Sequence, residues 1–241
     1  MTKTIAFDTS NQPLSVALLD ANNVIAQIET NISRNQSEQL LPAIDQLVMD
    51  AGWQPTDLDR VVVSAGPGSY TGLRIGVTTA KTLAYTLGIE LAGVSSLGLL
   101  ATNVTDTDAL IVPMMDARND NMYAAAYEWV DGTLSAVLDD QHTNIEALLA
   151  RLADFSGREL VFVGDLDRFA ERIQAMYPNA TLATDNVPHA AHAVKLVKAD
   201  SVLTNVDDIH QFVPNYHRLS QAEADWARAH PEEEVGYVER V

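Results

Sequence analysis

The chain contains no cysteine, and its first histidine is His142. Lack of thiol excludes a disulfide framework, a thiol nucleophile and any zinc site built on thiolates. Basic residues are scarce, with 15 Lys and Arg against 33 Asp and Glu, a formal charge of −18. Such a chain repels phosphate backbones, and no Lys/Arg cluster offsets the field, so direct nucleic-acid binding is not expected. No apolar run approaches the roughly 18 residues of a membrane span. The opening MTKTIAFDTS does not read as a signal peptide. A cytoplasmic protein with no membrane association is therefore expected.

What is present is enough for a sizeable core. At roughly 100–200 residues per domain, 241 residues make one large domain or two small ones. A chain of this length buries about 70–75% of its extended surface. Charge is uneven: residues 1–100 hold 5 bases and 9 acids, and residues 101–241 hold 10 and 24.

Residues 3–8, 14–19 and 23–29 read as a strand meander, with turn chemistry at Asp20-Ala21-Asn22. A helix is predicted over about 36–51, capped by Ser33 with Gln36 or Asn35 with Glu38. Its stripe is Leu40, Leu41, Ile44, Leu47 and Val48, Pro42 is expected to kink it, and Gly52 ends it. Residues 60–65, with three consecutive valines, form a strand. A glycine-rich loop leads into a helix over about 72–87, then a strand over 89–94 and a short helix capped by Ser95 or Ser96. Strands follow at 109–115, 122–130 and 133–138, the last two joined by the hairpin signal Asp131-Gly132. Helices over about 144–154, 166–176 and 189–200 and a strand at 159–163 complete the pattern. The order is close to one unit used twice, a topological repeat without a sequence repeat. The boundary is placed in the polar stretch around 103–108, giving lobes 1–105 and 106–241, with the C-terminal segment free to pack back on the first lobe.

Three local features carry candidate chemistry. Asp8-Thr9-Ser10 ends a strand, where an acid and two hydroxyls either cap a turn or face a hydrated metal or phosphate. Gly66, Gly68 and Gly72 surround a strand-to-helix turn beside Ser69, which is either a tight packing connection or an anion loop. It matches neither the dinucleotide fingerprint nor the P-loop. In the helix after it, Gly72, Gly76, Ala80 and Ala84 recur every four residues. A helical glycine costs about 0.8–1 kcal/mol relative to alanine, so this face implies close approach of another backbone, either the helix over 36–51 in the same domain or an intermolecular bundle made by both helices. His189 and His192 lie three apart but lack the HExxH glutamate, and no Gly-x-Ser-x-Gly elbow exists. Asp116 and Arg118 either contact phosphate or take part in an ion pair.

These pieces together resemble the bacterial TsaB (YeaZ) family. They are IAFDTS at 5–10, SEQLLP at 37–42, GPGSYTGLRIGVTTAK at 66–81, MDAR at 115–118 with Tyr123 and Tyr127, and Pro214-x-Tyr216-x-Arg218. The resemblance covers most of residues 1–130 and one motif near the end. It implies an α/β fold of two lobes, the actin-like ATPase (acetate kinase/Hsp70/actin, ribonuclease H-like) fold. It also implies a role in making threonylcarbamoyladenosine beside the anticodon of ANN-decoding tRNAs. There an upstream enzyme supplies threonylcarbamoyl-adenylate, the metal-bearing paralogue TsaD transfers the group, and the ATPase TsaE joins the pair.

The resemblance implies a non-catalytic subunit with no metal or cofactor of its own, touching tRNA only through the complex. It implies a helical bundle with TsaD or with a second copy, mapped here onto Leu40, Leu41, Ile44, Leu47, Leu73, Gly76, Val77 and Ala80. The lower charge of residues 1–100 agrees with a contact surface there. On this reading Gly76→Leu would abolish pairing and leave the monomer folded. The alternative is a nucleotide-binding phosphotransferase or ATPase of the same fold, using Asp8, Thr9, Ser10, Gly66, Gly68 and Ser69 as a ligand loop. A peptidase reading has no metal-ligand pattern behind it. The chain departs from the family pattern at Gln36 (often His), Tyr70 (usually Phe) and His217 (usually Leu).

Overall fold

The computed structural model describes residues 2–30, 36–105 and 107–217. The capping pairs expected from Ser33 and Asn35, and Arg218 of the C-terminal motif, lie outside the described residues.

The first sheet begins with β1 (Lys3–Asp8), β2 (Leu14–Asp20) and β3 (Asn23–Thr30), antiparallel neighbours in sequence order. Ala21 sits at φ 53° in the β2–β3 turn. β4 (Arg60–Gly66) pairs parallel to β1, and β5 (Glu90–Ser95) parallel to β4. Ile5, Val61, Val63 and Leu91 are fully buried, as strands covered on both faces must be. α1 (Gln36–Asp50) and α2 (Tyr70–Leu87) cover one face of this sheet. α1 runs unbroken through Pro42. α2 ends at Gly88, whose φ of 66° provides the left-handed C-cap.

α3 (Ser96–Ala101) lies between the two sheets. The second sheet contains β6 (Leu110–Asp116), β7 (Asn121–Val130), β8 (Thr133–Asn144), β9 (Leu160–Gly164) and β10 (Thr181–Leu182). Asp131 and Gly132 turn the β7–β8 hairpin with φ of 50° and 75°, the pair of positive values that a tight primed turn needs. α4 (Ile145–Leu152) and α5 (Ala170–Met176) close its outer face around Leu148, Phe162 and Phe169.

The strand order β3-β2-β1-β4-β5 of the first sheet recurs as β8-β7-β6-β9-β10 in the second. Each unit is an antiparallel meander followed by parallel crossovers. This repetition, with α3 between the sheets, is the two-lobed actin-like ATPase fold.

After β10 the chain returns to the first sheet. Residues Ala190–Leu196 form a 3-10 helix, tighter than the α-helix expected there. Its Ala190, Ala191 and Ala193 lie flat against Ala6, Ala17, Val62 and Ala92. β11 (Val202–Leu203) then extends the sheet beside β5, and α6 (Val206–Gln211), not foreseen in the sequence, packs on α2. Among the described residues no helix is long and apolar enough to cross a membrane.

Candidate functional site

Asp8, Thr9 and Ser10 are all buried, and they bond to one another and to α2. Ser10 donates to the Asp8 carboxylate from its hydroxyl at 2.8 Å and from its amide at 3.2 Å. Thr9 Oγ1 donates to the Gly72 carbonyl at 2.7 Å. Burial pushes the Asp8 carboxyl up to about 6, against the hydrogen bonds from Ser10. The glycines are accounted for in the same way. A Cβ at Gly66 would overlap the Asn215 carbonyl oxygen, at Gly68 that of Ser10, and at Gly72 that of Thr9. At Gly76 it would stand 2.5 Å from Thr9 Oγ1 and 3.3 Å from Val63. Ser69 caps α2 by accepting from the Gly72 amide at 3.3 Å, while its own amide donates to Ser10 at 2.7 Å. Of the six residues expected as a ligand loop, Ser10, Gly68 and Ser69 reach the interlobe cleft. Asp8, Thr9 and Gly66 do not line it.

The structure places the helix residues expected to meet a partner in two settings. Leu40, Ile44, Leu47, Leu73, Gly76, Val77 and Ala80 are buried within the first lobe, and only Leu41, 54% exposed, points outward. Gly72 and Gly76 of the small-residue row face Thr9, just after β1, which occupies the space a side chain would need. A periodic row identifies a close approach but not which chain makes it. The outward stripe of α1 instead presents Leu41 and Met49, two turns apart on one face, and α2 exposes Tyr85.

The lobes meet at a cleft of about 1120 Å³. Its first-lobe wall contains Asn11, Gln36 and the start of α2, and its second-lobe wall contains Met115–Asn119 and Tyr123. Gln36 donates to the Asn11 carbonyl at 2.7 Å, and Asn11 reaches Asp165 of the other lobe at 3.3 Å. Asp116 pairs with Arg168 at 3.1 Å, rather than with its sequence neighbour Arg118. The C-terminal strap enters along the rim. Asn215 donates to Ala65 at 2.7 Å, and Tyr216 lies 4.9 Å from Tyr70 and accepts from Arg74 at 3.3 Å.

Two polar nodes that sequence reasoning missed tie distant elements together. Asp140 accepts from Ser95 and from Tyr127, each at 2.6 Å, joining the end of β5 to the second sheet. Burial raises the Asp140 carboxyl and the Tyr127 hydroxyl. His189 contacts Glu29 at 2.6 Å and Asp185 at 2.9 Å. The Glu29 hydrogen bond, with help from Asp185, pushes His189 up to about 9, and the same contact lowers Glu29. His192 is lowered by burial and lies 3.1 Å from the Thr102 hydroxyl. Among the described residues no group of three or more His, Cys, Asp or Glu side chains is arranged to hold a metal ion.

Residues 22–226 match the family model described as TsaD: tRNA N6-adenosine threonylcarbamoyltransferase. The chain is 39% identical over 227 residues to the tRNA threonylcarbamoyladenosine biosynthesis protein TsaB of Bacillus subtilis (strain 168), covering 92% of this chain and 96% of that one. It is 31% identical over 126 residues to the Escherichia coli (strain K12) protein of the same name, covering 52% of this chain and 54% of that one. A Pseudomonas aeruginosa crystal structure, described as an uncharacterized protein with similarity to peptidase YEAZ, superposes with a TM-score of 0.75 at 26% identity, covering 90% of this chain and all of that one. YeaZ from the same organism gives 0.68 at 24% identity over 81% and 90% of the two chains, a likeness of fold.

Proposed function

Because the chain belongs to the TsaB (YeaZ) family of tRNA threonylcarbamoyladenosine biosynthesis proteins, we propose that it is the non-catalytic subunit that pairs with the TsaD transferase. In that role it holds TsaD ready to move the threonylcarbamoyl group from threonylcarbamoyl-adenylate to the adenosine next to the anticodon. It also helps recruit the TsaE ATPase. The observation that carries this reading is the outer face of α1 and α2, where Leu41, Met49 and Tyr85 are 54%, 58% and 64% exposed. Exposed large side chains on both helices, in a chain with a complete core of its own, support a contact surface for another protein there.

Chemistry by this chain alone is disfavoured by the same structure. The Asp8 carboxylate and the Thr9 hydroxyl are engaged in internal hydrogen bonds away from the cleft. A formal charge of −18 leaves tRNA contact to the assembled complex. The same helix face would serve a second copy of the chain, so self-pairing and TsaD pairing compete by mass action.

An omission experiment tests the proposal. TsaD, TsaE and the adenylate-forming enzyme of the same source are mixed with unmodified tRNA, threonine, bicarbonate and ATP, and the modified nucleoside is measured by mass spectrometry. Modification is expected only when this chain is added. Equal modification without it would end the accessory reading.

A further inference from the structure

The interlobe cleft has a character that the pairing of helices does not use. In a chain with 33 acids, the only acidic residue lining the cleft among the described residues is Asp116, and its charge is answered by Arg168. Arg118 stands at the same wall and is exposed. Its guanidinium has no hydrogen-bond or ion-pair partner among the described residues. An arginine left unpaired among the described residues, in a cleft wall of an acidic protein, is a selective feature, because most of the remaining surface repels anions.

The loop that presents Arg118 is held in an unfavourable shape. Arg118, Asn119 and Asp120 have φ of 67°, 53° and 59°, three consecutive left-handed residues without a glycine. For Arg118 this costs roughly 1–2 kcal/mol, whereas Asn and Asp are the non-glycine residues that adopt it most readily. The conformation is fixed from several sides. The Arg118 amide donates to Asp116 at 2.9 Å, and the Asn121 side chain donates to the Asn119 carbonyl at 3.1 Å. Arg168 and Arg172 both reach Asp120, at 3.5 and 3.4 Å. A strained residue held from several sides motivates a functional hypothesis for the loop.

The rest of the lining points to the kind of anion. Close approach of the protein's own carbonyls accounts for the glycines of the 66–72 loop. The other wall residues include Tyr70, Tyr123 and Tyr216, with Asn11, Asn119 and Asn215 among hydroxyl and amide side chains. Rigid tyrosines surrounded by adaptable amides and hydroxyls are the composition with which proteins grip other polypeptides. The cleft volume, about 1120 Å³, exceeds the roughly 300–1,000 Å³ of small-ligand pockets. His217 Nε2, buried in the cleft wall, lacks a hydrogen-bond partner among the described residues.

We propose that the cleft is a docking groove for an extended acidic segment of a partner protein, anchored by a carboxylate on Arg118. The side-chain amides pair with the guest backbone, and the Tyr70–Tyr216 edge supports its apolar parts.

The test uses the full chain alone, so it does not depend on TsaD pairing. A hexaglutamate peptide blocked at both ends, its hexaglutamine counterpart and inorganic phosphate are titrated by calorimetry. Hexaglutamate is expected to bind saturably and at least tenfold more tightly than hexaglutamine. Arg118→Gln should weaken it at least tenfold with an unchanged melting temperature. Tyr216→Ala, a second variant on the opposite wall, should weaken both peptides. Equal binding of the two peptides, binding indifferent to Arg118→Gln, or phosphate binding as tight as hexaglutamate would overturn the proposal.

Discussion

Replacing Gly76 by alanine is expected to destabilise the folded monomer. The new Cβ would lie 2.5 Å from Thr9 Oγ1 and 3.3 Å from Val63 Cγ2. The hydroxyl is not free to yield, because it donates to the Gly72 carbonyl at 2.7 Å in a buried setting. Overpacking a core costs about 1–3 kcal/mol. Loss of the buried hydrogen bond costs about 1–3 kcal/mol more. Alanine regains about 0.8–1 kcal/mol of helix propensity. The net loss is about 1–5 kcal/mol, or on the order of 2–4 °C of melting temperature per kcal/mol at this size. Urea unfolding followed by circular dichroism measures it. Thr9→Ala removes the obstructing hydroxyl, so Gly76→Ala should cost less in that background, with a coupling of about 1 kcal/mol or more. Gly72→Ala should be worse than Gly76→Ala, because it meets the Thr9 backbone carbonyl, which cannot rotate away. A Gly76→Ala monomer as stable as the parent, with pairing to TsaD lost, would refute this reasoning and restore the small-residue row as an intermolecular seam.

Further outcomes follow from the polar groups. Asp8 titrates near 6 in the folded chain against 3.8 ordinarily. The folded state therefore holds the proton more tightly, and stability should fall as pH rises from about 4 to 6, by about 3 kcal/mol in all. Asp8→Asn should flatten that part of a stability–pH profile, and an unchanged slope would contradict the burial argument. His189 is raised to about 9, so its contribution should be full below about pH 6.5 and vanish as pH passes 9. Melting curves of His189→Gln and the parent should therefore converge at high pH. Tyr127→Phe removes one of two donors to the buried Asp140 and should cost about 1–3 kcal/mol in chemical denaturation.

Elements with strong local signals were legible in the sequence. The valine run of β4, the apolar stripe of α1 and the Asp131-Gly132 hairpin each follow from side-chain periodicity or turn chemistry. The doubled topology was legible because it needs only element order. What periodicity cannot supply is the identity of the neighbour. At Gly72 and Gly76 the nearest approaching atoms belong to Thr9, more than 60 residues away in sequence. The interlobe and strap contacts share this limit, since Glu29 and His189 are 160 residues apart. The alanine-rich segment at 190–196 looked helical, but packing flat on the first sheet draws it into a 3-10 helix. Arg118 gave no warning of its left-handed backbone, because arginine is not a turn residue and the loop is shaped by Asp116, Arg168 and Arg172.

The central claim is that the outward face of α1 and α2, and not its buried stripe, meets TsaD. Titration calorimetry of Leu41→Glu and Met49→Glu against TsaD of the same source tests it most directly. Both side chains are exposed, so the unfolding midpoint should stay at the parent value. The account predicts at least a tenfold loss of affinity for each variant. Parent-like affinity in both variants, with the fold intact, would contradict it.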